Sequence, residues 1–193
     1  MDELKIREFA KKNFIPIVRP KTSELLIEKI KEIKPKSVLE IGTAIGYSGI
    51  IMLQNSDAHL TTLEKDEKMK QLAQENFKNE NLIERVNLIL GDAFDYIQNT
   101  TEKFDFIFLD GPKGQYAKYL PYLLDMLTQD GLMFCDNVLF EGLVQDESAK
   151  VDKKHRTIVN NLRLFLKMVS ENNAIESEII NLEDGVCLIK NKC

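Results

Sequence analysis

A chain of 193 residues, 44% hydrophobic and 30% charged, is long enough and apolar enough for a single globular domain with a substantial core. Its formal net charge of -5 excludes a globally basic nucleic-acid binder, so a polyanionic partner would need a local basic patch. No apolar run reaches the roughly 18 residues that span a bilayer, and the charged start Met1-Asp2-Glu3-Leu4-Lys5 lacks the apolar stretch of a signal peptide. Cys135, Cys187 and Cys193 are odd in number and lack metal-ligand spacing, which leads us to expect reduced thiols and a cytoplasmic location.

In chain order, residues 3–13 carry Leu4, Ile6, Phe9 and Ala10 at helical spacing. An extended linker follows at 14–18, with Pro16 and Pro20 stopping helices. Thr22 or Ser23 caps a helix to about Ile33, so that 1–34 forms a helical cap segment. Residues 37–41 read as a buried strand, closed by a turn with Gly42 and Gly46 and an apolar helix with Ile50, Ile51 and Leu53. Further strands are expected at 60–64, 86–90 and 104–109, and a fifth at 132–135 opened by Gly131. Asp66 caps the helix carrying Met69, Leu72, Ala73 and Phe77, and another helix covers roughly 116–127. Residues 138–152 read as a loop, and a helix runs from the basic Lys153-Lys154-His155-Arg156 to about Ser170. Strands at 176–182 and 185–190 form a hairpin around Glu183-Asp184-Gly185. This alternation predicts an α/β, Rossmann-like, doubly wound seven-stranded sheet. It is mostly parallel with one antiparallel strand near the C-terminus and helices on both faces.

The turn after the first strand is G-x-x-x-G, lacking the middle glycine that lets a backbone approach a pyrophosphate. Glu40, just before it, would repel a phosphate. That combination suits a nucleoside bearing a positive charge, such as S-adenosylmethionine (SAM), although a turn that binds nothing has the same look. Acids recur at the strand ends: Glu40, Glu64, Asp92, Asp110 and Asp136. Ligands of such sheets bind beyond those ends, and an acid at the second tip accepts from ribose hydroxyls. Five carboxylates on one rim repel one another unless cations sit among them.

The stretches LEIGTAIGYS (39–48), TTLEKDE (61–67), GDAFD (91–95), FLDGPKGQY (108–116) and CDNVLFEGLV (135–144) together resemble the class I SAM-dependent O-methyltransferases of the catechol and caffeoyl-CoA type. GTAIGYS, KGQY and NVLFEGLV with the basic stretch after it resemble most the bacterial tRNA 5-hydroxyuridine methyltransferases of that family. Gly111-Pro112 departs from the small residues common there, and the N-terminus is short.

The resemblance implies that Asp110, Asp136 and Asn137 ligate Mg²⁺ or another divalent cation and that Lys113 is the general base. It implies that Asp92 and Ala93 hold adenine, Glu64 the ribose, and Gly42 and Ser48 the methionine end. By its charge, Glu40 is expected at that end too. Without the resemblance, Asp136-Asn137 reads as a turn and Lys113 as a surface lysine. The acceptor must offer two adjacent oxygens, as a catechol does and as 5-hydroxyuridine does in a tRNA anticodon loop. Arg19, Lys153, Lys154 and Arg156 are the candidate phosphate contacts for tRNA. A homodimer is also implied.

Overall fold

The computed structural model describes residues 3–146, 148 and 150–192, with side chains from residue 5 onward; Cys193 lies outside the described residues. Helices α1 (Glu3–Lys12) and α2 (Pro20–Ile33) precede a seven-stranded sheet. Its strands are β1 (Ser37–Ile41), β2 (His59–Glu64), β3 (Val86–Leu90), β4 (Phe104–Leu109), β5 (Leu127–Asp136), β6 (Ile175–Ile180) and β7 (Val186–Asn191). The connecting helices are α3 (Tyr47–Gln54), α4 (Glu67–Asn79), α5 (Ala93–Asn99), α6 (Tyr116–Met126) and α7 (Arg156–Glu171). The strand order is β3-β2-β1-β4-β5-β7-β6, and β7 alone runs opposite to its neighbours β5 and β6. No helix of the described residues is long and apolar enough to cross a membrane.

Alternation along the strands splits the core in two. Leu39, Ile41, Ile107 and Leu109 face α5, α6 and α7, while Val38, Phe106 and Phe108 face α2, α3 and α4. Helix α7 buries Val159, Leu162, Phe165 and Val169 along one stripe, each worth about 1.5–3 kcal/mol when fully buried. Because the strand order reverses on either side of β1, the ends of β1 and β4 form the switch point at which ligands of open α/β sheets bind.

Several boundaries differ from expectation. β5 begins at Leu127, not Leu132, because Leu127 pairs with Phe104 and an irregularity absorbs the polar stretch before Leu132 pairs with Phe106. Helix α2 starts at Pro20 with Arg19 at its N-cap; Thr22 and Ser23 are buried within its first turn. Helix α7 starts at Arg156, which leaves Lys153 and Lys154 in the preceding turn. Helix α5, capped by Asp92, is an addition to the expected elements.

The β6–β7 turn ties distant loops together. The backbone N–H groups of Val138 and Leu139 donate to the carbonyls of Gly185 and Asp184, fixing the segment that leaves β5. Gly185 has a φ of +81°, and a Cβ there would lie 2.2 Å from Leu139 Cγ, so only glycine permits this contact.

Candidate active site

Two adjoining cavities lie beyond the ends of the parallel strands and share Gly42 and Glu64. The larger, about 500 Å³, is lined by acids Glu64, Asp110, Asp136, Glu141 and Asp184 and by cations Arg19 and Lys113. Gly42, Ala44, Asn137 and the apolar Pro16, Ile17 and Phe140 complete its walls. The smaller, about 290 Å³, is lined by Asp92, Ala93, Pro112, Tyr119, Leu63 and Gly91 among others.

Gly42 closes the switch point. Its φ is +100°, and a Cβ would sit 2.5 Å from the carbonyl oxygen of Asp110, so the β1 turn and the β4 tip meet only because the side chain is absent. Glu64 is held by two backbone amides: Ala44 N–H donates to Oε2 (2.8 Å) and Asp66 N–H to Oε1 (2.9 Å). Each oxygen keeps further accepting capacity, and Glu64 lines both cavities. Asp92 Oδ1 accepts from Phe94 N–H (2.7 Å), which caps α5 and fixes the carboxylate at the smaller cavity. Burial, reinforced by Asp92, pushes the Tyr119 hydroxyl up to about 12, so this phenol stays a neutral donor.

The acidic tips of β4 and β5 are pinned by one side chain. Tyr116, fully buried, places its hydroxyl 3.0 Å from the Leu109 carbonyl and 3.1 Å from that of Asp136. Asp136 is 2% exposed and its Oδ1 accepts from Asn137 N–H (2.7 Å). Burial, then the nearby Asp110 carboxylate, push Asp136 up to about 7. Lys113, in the 3₁₀ turn Lys113–Gln115, places Nζ 2.7 Å from Asp110 Oδ1. Asn137 adopts a left-handed conformation (φ 56°) and lines the same cavity.

Two carboxylates and an amide carbonyl are hard oxygen donors of the kind Mg²⁺ takes, with water and substrate oxygens completing the shell. Among the described residues no cluster of three or more His, Cys, Asp and Glu is arranged for a metal; the amide oxygen of Asn137 lies in the same cavity lining as Asp110 and Asp136. Asp110 and Asp136 line one cavity, and the like charge of two neighbouring carboxylates is what a bound cation would offset there.

Glu40 and Ser48 are not in either cavity lining. Glu40 is fully buried beneath the glycine turn, where Ser48 Oγ donates to Oε1 (2.5 Å) and Thr62 Oγ1 to Oε2 (2.6 Å). Thr62 Oγ1 in turn lies 2.5 Å from Thr43 Oγ1. Burial pushes the Glu40 carboxyl up to about 7 from its ordinary 4.5, against the pull of those hydroxyls. An acid raised on folding is stabilising in its protonated form. Stability from this group is full below about pH 4.5 and falls as pH rises to about 7, by about 3 kcal/mol. Glu40→Gln is therefore expected to match wild type near pH 4 and exceed its unfolding free energy by about 2–3 kcal/mol at pH 8. Parallel urea titrations at the two pH values read this; equal pH slopes for both proteins would refute it.

Lys153, Lys154 and Arg156 are exposed and line neither cavity. Arg156 Nε donates to the Val151 carbonyl (3.3 Å). The link from this cluster to the site is His155, whose ring packs edge-on against Phe140 at 5.3 Å. Arg19, by contrast, lies in the larger cavity itself. Phe140, Glu141, Asp184, Tyr119, Pro16 and Ile17 also line the cavities and are not among the site residues expected from sequence. Only NVLFEGLV, which contains Phe140 and Glu141, carried a signal.

The O-methyltransferase family profile matches residues 1–192. A catechol O-methyltransferase of Niastella koreensis is 32% identical over 153 residues, covering 76% of this chain and 67% of the relative. A Staphylococcus aureus protein provisionally assigned as a caffeoyl-CoA O-methyltransferase superposes with a TM-score of 0.92 at 31% identity, covering all of this chain and 93% of that one. A Bacillus cereus O-methyltransferase solved with S-adenosylhomocysteine gives a TM-score of 0.87 at 26% identity, covering 98% of this chain and 90% of that one.

Proposed function

Starting from the fact that the chain belongs to the O-methyltransferase family and is a SAM-dependent O-methyltransferase, we propose that it methylates the 5-hydroxyl of 5-hydroxyuridine at the tRNA wobble position, with a divalent cation. The observation that carries this reading is the cationic approach to an otherwise acidic cavity. Arg19 stands inside it, and the exposed Lys153, Lys154 and Arg156 flank His155, which touches its Phe140 wall. Basic residues so placed suit the phosphates of a splayed loop nucleotide.

In this reading Asp92, Ala93 and Tyr119 line the adenine pocket, and Glu64 accepts from the ribose hydroxyls. Gly42 gives the methionine end its approach. Glu40 and Ser48 act from below by holding the turn. Asp110, Asp136 and Asn137 hold the cation, which when bound acidifies and orients the acceptor oxygen. Lys113 takes the acceptor proton. Methyl transfer is an in-line displacement at carbon, so the residues' remaining task is to align the acceptor oxygen with the sulfonium. A homodimer belongs to the same reading and is checked by sizing chromatography.

A second reading is favoured by the relatives' names: a small catechol or hydroxycinnamoyl ester as acceptor. Incubation with SAM and Mg²⁺ and, in parallel, hydroxyuridine-containing tRNA and a catechol panel separates the two. A methylated tRNA nucleoside is expected. Robust catechol turnover with no methylated nucleoside would overturn the tRNA reading.

A further inference from the structure

The larger cavity contains two cations of unequal availability. Lys113 is committed to Asp110 at 2.7 Å. Arg19 has a single long ion pair, 3.9 Å from NH2 to Asp184 Oδ2, and among the described residues its guanidinium donates no hydrogen bond. Its side chain is half-exposed, whereas that of Asp184 is 9% exposed. A guanidinium has five N–H donors in a flat fork shaped for the paired oxygens of phosphate or carboxylate. Against burial, and together with the hydrogen bonds from Thr22, Arg19 also helps hold the Glu183 carboxyl below its ordinary value. With one distant ion pair it keeps donors for a further anion in the cavity it lines.

The backbone around Arg19 is firmly placed. Arg19 is extended (φ -71°, ψ 160°), as the following Pro20 requires, and its carbonyl accepts from Ser23 N–H at 2.8 Å. Glu183 Oε2 accepts from Thr22 N–H (2.9 Å) and Thr22 Oγ1 (2.8 Å), locking the start of α2 to the β6–β7 turn. In the same turn Asp184 Oδ1 accepts from Glu141 N–H. Asp184 thus stands fixed behind Arg19, with one oxygen toward it.

We propose that Arg19 is the acceptor-specificity residue of this cavity, binding a phosphate carried by the acceptor nucleotide, and that Asp184 is the positioning residue behind it. The proposal rests on reading the cavity as the acceptor site. The lining carries five carboxylates and two cations, a formal charge of -3. SAM, at a net +1, and a divalent cation cancel this before the acceptor arrives, so an anionic acceptor meets no net repulsion.

The test compares kcat/KM for 5-hydroxyuridine and for its 5′-monophosphate, with SAM and Mg²⁺ saturating, in wild type, Arg19→Gln, Arg19→Lys and Asp184→Asn. Wild type is expected to favour the monophosphate roughly ten- to hundredfold, the span of one charge-assisted contact. Arg19→Gln brings the ratio near one, and Arg19→Lys, a point charge without a fork, leaves it between. Asp184→Asn raises KM for the monophosphate while kcat holds; a merely structural role would move both acceptors together. A wild-type ratio near one, or a ratio unchanged in Arg19→Gln, overturns the proposal. If neither uridine compound turns over and catechol does, the tRNA reading fails separately. The Arg19 proposal is then decided by 3,4-dihydroxybenzoate against catechol, where a preference for the anion lost in Arg19→Gln upholds anion binding and equal turnover refutes it.

Discussion

Asp136→Asn is expected to lower methyl transfer at least about a thousandfold while making the metal-free protein more stable. Both effects have one cause. Asp136 is 2% exposed and faces Asp110, and together burial and like charge push its carboxyl up to about 7 from an ordinary 3.8. For an acid raised on folding, stability is full below about pH 4 and is lost as pH climbs to about 7. Above that, the ionised group weighs against the fold by about 2–4 kcal/mol. Asparagine keeps the oxygen that accepts from Asn137 N–H and removes the charge. Thermal unfolding at pH 8 in chelator should show the midpoint rising by several degrees. On the proposed reading activity falls because a neutral amide replaces the carboxylate that would hold the cation, and a metal acting as Lewis acid would contribute several kcal/mol to such a reaction. Calorimetric SAM affinity should stay near wild type, since Asp136 is not in the smaller cavity's lining. A variant that is inactive because it has lost SAM binding, or that is less stable at pH 8, contradicts this account.

Lys113→Met is expected to reduce kcat by about 10²–10⁴, the usual contribution of a positioned general base. Lysine at this position has two separable attributes, a charge and a removable proton. Lys113→Arg retains the charge and can still pair with Asp110, but guanidinium does not deprotonate in proteins. If proton transfer is the role, Lys113→Arg is as slow as Lys113→Met. Recovery of most activity in Lys113→Arg would reduce the residue to a charge that steadies Asp110.

The strand tips were legible in the sequence because the signals there are local. Short β-branched runs end in glycine or acid, and the next apolar run changes period from 2 to 3.6. Glu64, Asp92, Asp110, Asp136 and Asn137 line two joined cavities. Glu40 lines neither cavity, and alternation is the reason. It shares a strand face with Val38, which packs toward α3, so its side chain runs into the layer beneath the turn and meets Ser48 and Thr62. Charge alone marks an acid next to a nucleotide turn; it does not say which face of the strand carries it. The start of β5 was missed because Thr128, Gln129 and Asp130 look like a turn; only pairing with β4 makes them strand. Sequence alone singles out Arg19 by its charge but does not bring it together with Phe140 and Asp184 on one cavity wall. Arg19, Phe140 and Asp184 come from three segments far apart in the chain, and the contacts that assemble them, Thr22 to Glu183 and Glu141 to Asp184, have no local signature.

The most direct measurement is nucleoside mass spectrometry of tRNA from a strain lacking this protein, complemented with wild type or with Asp136→Asn. The account predicts unmethylated 5-hydroxyuridine in the deletion strain, its methylated form restored by wild type, and no restoration by the variant. Undiminished 5-methoxyuridine in the deletion strain would contradict it.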